Sequence, residues 1–393
     1  MTIKVSKPAI NIREELADLK QDTGLKGQEL MRADTAQEAR TAISAGRKNL
    51  IINGAMQVAQ RGTSATGLGD GDNDYHTCDR WEFVESGSGA GVYTMSQETD
   101  APAGFSNSLK LACTTIESTL AANEQLRLRQ RVEGLNVQHL KKGTSSAESL
   151  TLSFWVKSYQ TGTCTINLYD PTNSRHIAKT YNINSSATWE NKTITFSGDE
   201  TGAIDNDNTS GLEIWFYLMA GSNFNSGTLP TSWGSYSEGN NAVGQTISLG
   251  GSTSNYFQIT GVQLEVGSVA TEFEHRSYGE ELALCQRYYY LLVEGDNKEV
   301  CYGFYYNATS IYMDVSFPVT MRDAPSLDYT TGSGYYGIYA NGAGDEFDTF
   351  LIQGAHPNGI NLYNTSEVSG TAGHAGFIYT ANANSRIAFK AEL

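Results

Sequence analysis

The sequence lacks the excess of positive charge that marks a nucleic-acid-binding protein. Its 393 residues include 27 Lys and Arg against 43 Asp and Glu, which gives a formal net charge of −16 at pH 7. A surface of that sign repels the phosphate backbone, so no nucleic-acid partner is expected. Only 18% of the residues are charged, whereas 40 are glycine, which indicates a chain rich in turns and loops.

Long apolar runs and paired cysteines are missing as well. No stretch of about 18 apolar residues occurs, so membrane insertion is not expected, and the first residues contain no apolar segment of a classical signal peptide. The five cysteines are widely spaced, without a CxxC pair, which suits neither a disulfide framework nor a zinc site. We expect free, mostly buried thiols in a protein made in a reducing cytoplasm.

Catalytic and metal-binding motifs are equally scarce. The sequence has no GxSxG elbow and no HExxH helix, and its six histidines never fall at metal-ligand spacing. Residues 332–337 match GxGxxG, but no helix pattern follows them, which favours a turn. The acidic segments 70–74 and 205–208 are read as solvated turns, because an EF-hand would need Gly and Glu where Tyr75 and Trp81 stand; calcium held by a loop stays open as the alternative. We predict no metal, no cofactor and no enzymatic activity.

Residues 1–48 differ in charge and in sequence pattern from the rest of the chain, and they carry a net charge of +2. Ile12, Leu16 and Leu19 share one face of a predicted helix, and Thr35 and Glu38 form a capping box at the start of a second. Helices this short are not stable alone, so the segment needs another copy of the chain or a docking protein. A flexible leader is the alternative.

From residue 49 onward the pattern changes to short strands. Segments 152–156, 193–196 and 212–216 are rich in β-branched and aromatic residues and are bounded by Gly, Asn, Ser and Asp, which is typical of a β-sandwich or barrel. The alternation of apolar residues slips by one at Gly261, which predicts a β-bulge. Trp155, Trp189 and Trp215 are predicted to lie in the core.

A single helical pattern interrupts the strands. Ser277 and Glu280 form a capping box, and the spacing of Leu284, Tyr288 and Leu291 predicts a connecting helix over 277–291 that marks a domain boundary. The run from residue 302 to residue 306 (YGFYY) then places aromatic side chains on both faces of a strand. Such a strand is covered on both sides, and self-association would supply the second cover.

Three stretches of the sequence carry a resemblance to a known protein family. The first is RKNLIINGAM at 47–56, followed by QRG at 60–62 and DRW at 79–81. The second runs from ITGVQLEVG at 259–267 through ATEFEHR at 270–276 to ELALCQRYY at 281–289, and the third is FPVTMRDAP at 317–325. Together they resemble bacteriophage tail-fibre or receptor-binding proteins with a carbohydrate-binding-module-like domain, and residues 33–42 resemble the leader that often precedes such domains.

The resemblance implies a mainly β protein with short N-terminal helices, a jelly-roll-like β-sandwich, a short connecting helix and a C-terminal β domain, assembled as a homotrimer. The implied domains are residues 1–48 for attachment to a phage tail or adaptor protein, 49–276 for the sandwich, and 277–393 for the connecting helix and receptor-binding tip. The protein would be a virion component made in the host cytoplasm. Because tips vary greatly between phages, no receptor is implied.

Sugar binding requires an aromatic platform for the apolar face of the ring and polar side chains for its hydroxyls. The long polar loop 221–255 offers both, and the candidate glycan-binding residues there are Asn223, Phe224, Trp233, Tyr236 and Asn240. Trp233 is either a platform or a lid on the local core. The candidate receptor residues of the tip are Tyr335, Tyr336, Tyr339, His356 and His374; the alternative is that these tyrosines form the trimer interface.

The leading hypothesis is therefore a tail fibre that attaches the virion to a host-surface polysaccharide by multivalent, non-covalent binding. One alternative is a structural virion protein without glycan recognition, such as a spacer, head fibre or capsid decoration. The other is a glycan depolymerase, which would need paired carboxylates and is usually built on a β-helix whose short repeats are not visible here.

Overall fold

A computed structural model describes residues 48–69, 71–87 and 89–393, so the helices expected in the N-terminal segment lie outside the described residues. Residues 50–393 form one compact unit. It is mainly β, as predicted: 23 strands pair antiparallel in four sheets, and two α-helices accompany them in the described part of the chain. None of the described helices has the length and apolarity needed to cross a membrane.

The first thirteen strands build a two-sheet sandwich. One sheet has six strands in the order β1-β4-β5-β13-β7-β10, and the other has seven in the order β12-β9-β8-β11-β6-β3-β2. The strands are β1 Ser64–Leu68, β2 Asn73–Tyr75, β3 Glu82–Ser86, β4 Val92–Glu98, β5 Ser108–Thr115, β6 Gln125–Glu133, β7 Leu150–Ser158, β8 Gly162–Asp170, β9 Arg175–Ile183, β10 Glu190–Phe196, β11 Ser210–Ala220, β12 Gly234–Ser235 and β13 Tyr256–Val266. Helix α1 (Ser222–Asn225) and four short 3-10 turns lie in the connections.

The sandwich core forms because alternate residues of both sheets point inward. Phe154 of β7 meets Phe216 of β11 edge to face, with ring centroids 5.3 Å apart. Trp215 is buried, as predicted, but in a second cluster on the outer face of β11. The prediction that Trp155 and Trp189 lie in the core is wrong. Trp155 alternates outward from Phe154 and is half-buried, and Trp189 is half-buried with its indole N–H donated to a carboxylate.

The bulge predicted at Gly261 is confirmed. The register of β13 against β7 shifts between Thr260 and Gln263, and Gly261 has φ of +61°, a left-handed conformation that glycine adopts without strain. Beyond the bulge, Gln263 and Glu265 point outward and bind the following segment: Thr271 donates its amide to Glu265 at 2.9 Å. The VQLEV motif therefore holds a loop against the sheet.

Helix α2 (Tyr278–Gln286) begins at the predicted capping box, in which the Ser277 hydroxyl accepts from the Glu280 amide and the Glu280 carboxylate accepts from the Ser277 amide. The helix is shorter than predicted, because Tyr289 and the residues after it pair with a strand about a hundred positions later. That long-range pairing overrides the helical spacing of the apolar residues.

The C-terminal strands form two further sheets. A three-stranded sheet has the order β14-β23-β17, and a seven-stranded sheet, here called the tip sheet, has the order β19-β18-β22-β15-β16-β21-β20. The strands are β14 Tyr289–Glu294, β15 Glu299–Asn307, β16 Ser310–Ser316, β17 Ser326–Tyr329, β18 Tyr336–Ala340, β19 Ala343–Phe347, β20 Leu351–His356, β21 Gly359–Thr365, β22 Ala375–Thr380 and β23 Arg386–Lys390. Their inward residues share one apolar core.

The stretches that carry the phage resemblance converge on the junction between the sandwich and the C-terminal sheets. Arg80 lies over the ring of Tyr288 at 3.6 Å, and Arg61 lies over the ring of Tyr289 at 3.5 Å. Both guanidinium groups also bind the carboxylate of Glu392, whose side chain is only 4% exposed. The two buried cations are thus held by two aromatic rings and the shared Glu392 carboxylate, and Arg61 also lies 3.9 Å from the buried Asp79 carboxylate.

Two further arginines, one from the third stretch and one from the second, also contact this junction. Arg322 donates to the main-chain oxygens of Ala391 and Glu392 at 2.8 and 2.9 Å. Arg287 forms a bidentate pair with Glu133 of the sandwich, with both N–O distances at 2.7 Å. These arginines of the sequence stretches therefore help to join the sandwich to the C-terminal sheets.

The cysteines agree with the sequence prediction. Cys78, Cys113, Cys164 and Cys285 are buried free thiols, and Cys301 is half-buried and free. Burial raises the pKa of the Cys164 thiol to about 12, which keeps it in the protonated form.

Candidate functional site

The outer face of the tip sheet carries eight aromatic side chains, here called the aromatic face. Strand β15 alternates strictly from residue 302 onward: Tyr302, Phe304 and Tyr306 are 78%, 44% and 65% exposed, whereas Tyr305 points into the core. The neighbouring strands repeat the alternation. The other members of the face are Tyr312, Tyr339, Tyr363, Phe377 and Tyr379.

Cross-strand pairing brings these rings together. Tyr312 and Tyr363 are direct partners, and their rings stack with centroids 5.4 Å apart and planes 12° from parallel. Tyr339 and Phe377 are also direct partners, at 5.4 Å and 26°. Taking about 200 Å² for each ring, the four most exposed rings present roughly 450 Å² of side-chain surface. The largest apolar patch on an ordinary monomer has about this size and is often functional, which makes the aromatic face a candidate interaction surface.

A groove of about 320 Å³ opens at one corner of this face, where β18, β22 and the start of β15 lie side by side. We call it the Glu299 groove. Its lining residues are Asn297, Glu299, Tyr339, Phe377 and Tyr379. Its size and its mixture of aromatic rings with a few polar groups match a small-molecule or saccharide site.

Two glycines allow Tyr379 to lie close to the sheet. A Cβ added at Gly337, its direct cross-strand partner, would overlap the Tyr379 ring, and one added at Gly344 would lie 2.9 Å from the Tyr379 hydroxyl oxygen. The ring therefore crosses the strands where neighbouring side chains are missing. It forms the floor of the groove.

A bulge places Glu299 on the same face as the rings. Glu299 pairs with Tyr379, but the register of β15 against β22 shifts before Cys301, so that Glu299 and Tyr302, three positions apart, both point outward. Without the extra residue, Glu299 would point to the other side of the sheet. The carboxylate is thus held at the edge of the aromatic floor.

The polar groups of the groove are available to a ligand. Among the described residues, no hydrogen-bond or ion-pair partner is found for the Glu299 carboxylate or for the hydroxyls of Tyr339 and Tyr379. Burial raises the pKa of the Tyr379 hydroxyl, and the carboxylates of Glu346 and Asp345 raise it further, so this hydroxyl stays neutral. Donors and an acceptor therefore surround the rings.

Of the tip residues predicted from sequence, Tyr339 alone lines the groove. Tyr336 is fully buried and donates its hydroxyl to the Thr330 carbonyl at 2.7 Å, so the prediction that it contacts a receptor does not fit its position. Tyr335 packs partly against the same core. His356 is exposed at the end of β20, and His374 lies in the turn before β22. The structure therefore does not bring these five residues together.

The loop 221–255 folds back onto the outer face of β11. Phe224 is only 4% exposed and packs with Trp215, so its ring offers no platform for a sugar. Tyr236 is half-buried beside Trp215, and Asn240 accepts the amide of Thr228 within the loop at 2.8 Å.

Asn223 is exposed, whereas Trp233 packs against the main core of the sandwich. The Trp233 indole N–H donates to the Ser197 carbonyl at 2.8 Å, and Lys142 lies 5.0 Å from the ring centre. Of the two roles left open for Trp233, this position corresponds to the lid.

No cluster of three or more potential metal ligands occurs among the described residues. In the acidic segment near residue 205, Asp207 accepts the amide and hydroxyl of Thr209, as in a turn that binds its own backbone. In the other segment, Asp72 contacts the His76 ring at 3.0 Å, and Asp70 lies outside the described residues.

Sequence reasoning missed Asn297, Glu299, Phe377 and Tyr379. The alternation in AGFIYT at 375–380 was a usable signal, because it predicts Phe377 and Tyr379 on the face opposite Ile378. The assembly of the groove depends on three strands that are distant in sequence, and no local pattern reports that pairing.

No family model and no curated protein matches the chain. Among solved structures, it is similar to the enzymatically active domain of tailspike protein 4 from bacteriophage CBA120, with 11% identity over 51% of this chain and a TM-score of 0.28. The chain spans about a fifth of that protein's length, since 21% of it is covered.

Two sugar-binding structures are similar at the same level. A putative sugar-binding protein from Bacteroides thetaiotaomicron has 12% identity over 56% of this chain and 100% of its own, with a TM-score of 0.29. A family 11 carbohydrate-binding module from Clostridium thermocellum, in complex with a β-1,3-1,4-mixed-linked tetrasaccharide, has 10% identity over 54% and 98%, with a TM-score of 0.26. At these TM-scores the similarities carry no conclusion about the function of this chain.

Proposed function

We propose that this protein is a phage tail fibre that attaches the virion to a host-surface polysaccharide by non-covalent binding in the Glu299 groove. The observation that carries the proposal is the groove itself, an aromatic floor bordered by a free carboxylate, an amide and two free hydroxyls. The phage role is supported by the resemblance of the three sequence stretches, and the virion location follows from that role.

The groove suits a sugar for chemical reasons. The ring of Tyr379 crosses the floor over Gly337, where an apolar sugar face can pack against it. Glu299 and Asn297 accept hydrogen bonds, and the hydroxyls of Tyr339 and Tyr379 both donate and accept. This combination orients a polyol while it buries little charge.

We further propose that the protein acts as a homotrimer without enzymatic activity. The aromatic face beyond the groove supports self-association, because Phe304, Tyr306, Tyr312 and Tyr363 lie together on the side of β15 away from Phe377. Three weak sugar sites in each fibre, repeated over several fibres, give firm attachment without a tight single site. The tail or adaptor partner would bind residues 1–48.

The test of sugar binding compares two tyrosine variants of the full-length protein. Tyr379→Ala removes the groove floor and is expected to weaken binding to host polysaccharide about tenfold, which corresponds to ~1.4 kcal/mol. Tyr159→Ala, which removes a ring that is 48% exposed on the sandwich, is the matched control and should bind normally. Affinity electrophoresis with extracted host polysaccharide measures both, and equal binding by the two variants would contradict the proposal.

The trimer is tested separately by light scattering. The full-length protein is expected at three times the chain mass of 42.7 kDa, and Tyr306→Ser, which places a polar group at a ring 65% exposed in the single chain, should shift it toward monomer. A wild-type monomer at micromolar concentration would remove the basis for avidity and favour a structural decoration role.

A further inference from the structure

We propose that the Glu299 groove discriminates by charge: it accepts neutral or amino-bearing saccharides and rejects saccharides that carry carboxylate or phosphate groups. The inference rests on the proposed function, because it assigns the ligand class of the same site. It follows from the side chains that line the groove and from those around it.

The lining contains one charged side chain, and it is an acid. Glu299 is exposed, has no ion-pair partner among the described residues, and faces the ring of its cross-strand partner Tyr379. None of the lining residues is Lys, Arg or His. An anionic ligand seated on the ring would therefore meet a like charge with no compensating cation.

The surroundings have the same sign. Glu346 of β19 pairs with Gly337, on the same face of the sheet as Tyr379, and acts electrostatically on the Tyr379 hydroxyl, and Asp296 accepts the amide of Asn297 at the rim. Lys298 is the one cation nearby in the sequence; it lies between two lining residues of the groove and does not itself line it. The site thus lacks the fixed cation with which proteins bind carboxylates and phosphates.

Repulsion of this kind has a measurable size. Consider a ligand whose negative unit charge lies about 6 Å from the Glu299 carboxylate, at an effective dielectric constant of about 40. This ligand binds roughly tenfold more weakly than its uncharged form. The same field attracts an ammonium group, so a glycan with free amino groups should bind more tightly than its N-acetylated form. High salt should reduce both differences.

The experiment uses one polymer in two charge states. A panel of soluble neutral polysaccharides is screened with the full-length protein, and the polymer that binds is then oxidised at its primary hydroxyls to carboxylates. The oxidised form is expected to bind about tenfold more weakly than the parent at low salt. Glu299→Gln should bring the two affinities together, and Glu200→Gln, which changes an exposed acid of the sandwich, should leave the difference unchanged.

The possible failures are distinguishable. If no neutral polymer binds and Tyr379→Ala does not change binding to host polysaccharide, the proposed function fails and this inference fails with it. Equal binding of parent and oxidised polymer through Tyr379 would overturn the charge inference alone. If the oxidised polymer still binds about tenfold more weakly than the parent in Glu299→Gln, residues other than Glu299 exclude anions. That result would overturn the assignment of the charge discrimination to Glu299.

Discussion

Replacing Glu392 by glutamine tests the electrostatic joining of the sandwich to the C-terminal sheets. The carboxylate binds both Arg61 and Arg80, and the three side chains are 4%, 7% and 0% exposed. Glutamine keeps the size and one acceptor oxygen, but it leaves Arg80 without the acid that binds it, and it leaves Arg61 with only the Asp79 carboxylate, 3.9 Å away. Breaking a buried pair in this way costs about 3–5 kcal/mol of the free energy of unfolding.

The assay is equilibrium unfolding in urea, followed by far-ultraviolet circular dichroism and by tyrosine and tryptophan fluorescence. Because Glu392 lies where the two β units meet, the variant is also expected to separate one transition into two. The matched control is Glu148→Gln, which breaks an ion pair with Lys141 whose partners are 34% and 54% exposed, and it should cost less than about 1 kcal/mol. A loss below about 1 kcal/mol in Glu392→Gln, with one transition retained, would refute the reasoning.

Three further predictions concern other sites. Lys142→Met removes the ammonium group that the buried carboxylates of Asp170 and Asp199 share, and it should lower the unfolding free energy by about 3–5 kcal/mol in urea titrations. Burial raises the pKa of Asp79 to about 6, so its stabilising contribution is fully present below the unfolded pKa of 3.8 and is lost as the pH rises through 6; relative to Asp79→Asn, the wild type should lose ~2.4 kcal/mol between pH 4 and pH 7. Gly337→Ala should displace the Tyr379 ring and weaken polysaccharide binding about tenfold by calorimetry, and unchanged affinity would contradict the role of the ring as a floor.

The sequence predicted features that depend on neighbouring residues. The bulge at Gly261 and the capping box at Ser277 each require only a few adjacent positions, and both are confirmed. Mainly β structure also followed from local patterns. These signals are strong because backbone conformation and capping are set within about five residues.

Predictions that needed distant contacts were less successful. Alternation identified Trp155 as part of a strand but did not reveal that its face points away from the core. The helix that starts after Ser277 ends at Gln286 because β14 pairs with β23. In the site, Tyr339 was found because it is an aromatic residue in a polar region, whereas Glu299 depends on a bulge that no local pattern announces.

The junction described above also determines how the tip can be exchanged. Many of its contacts come from the three sequence stretches described above, and none of those stretches contributes a residue to the Glu299 groove. We therefore expect that a chimera can exchange the outer strands of the tip sheet without disturbing the junction, provided that Tyr288, Tyr289, Arg322 and Glu392 are kept as the graft boundary. The attachment of the tip sheet to the sandwich and the chemistry of the groove would then be separable properties of a single chain, which can be changed one at a time.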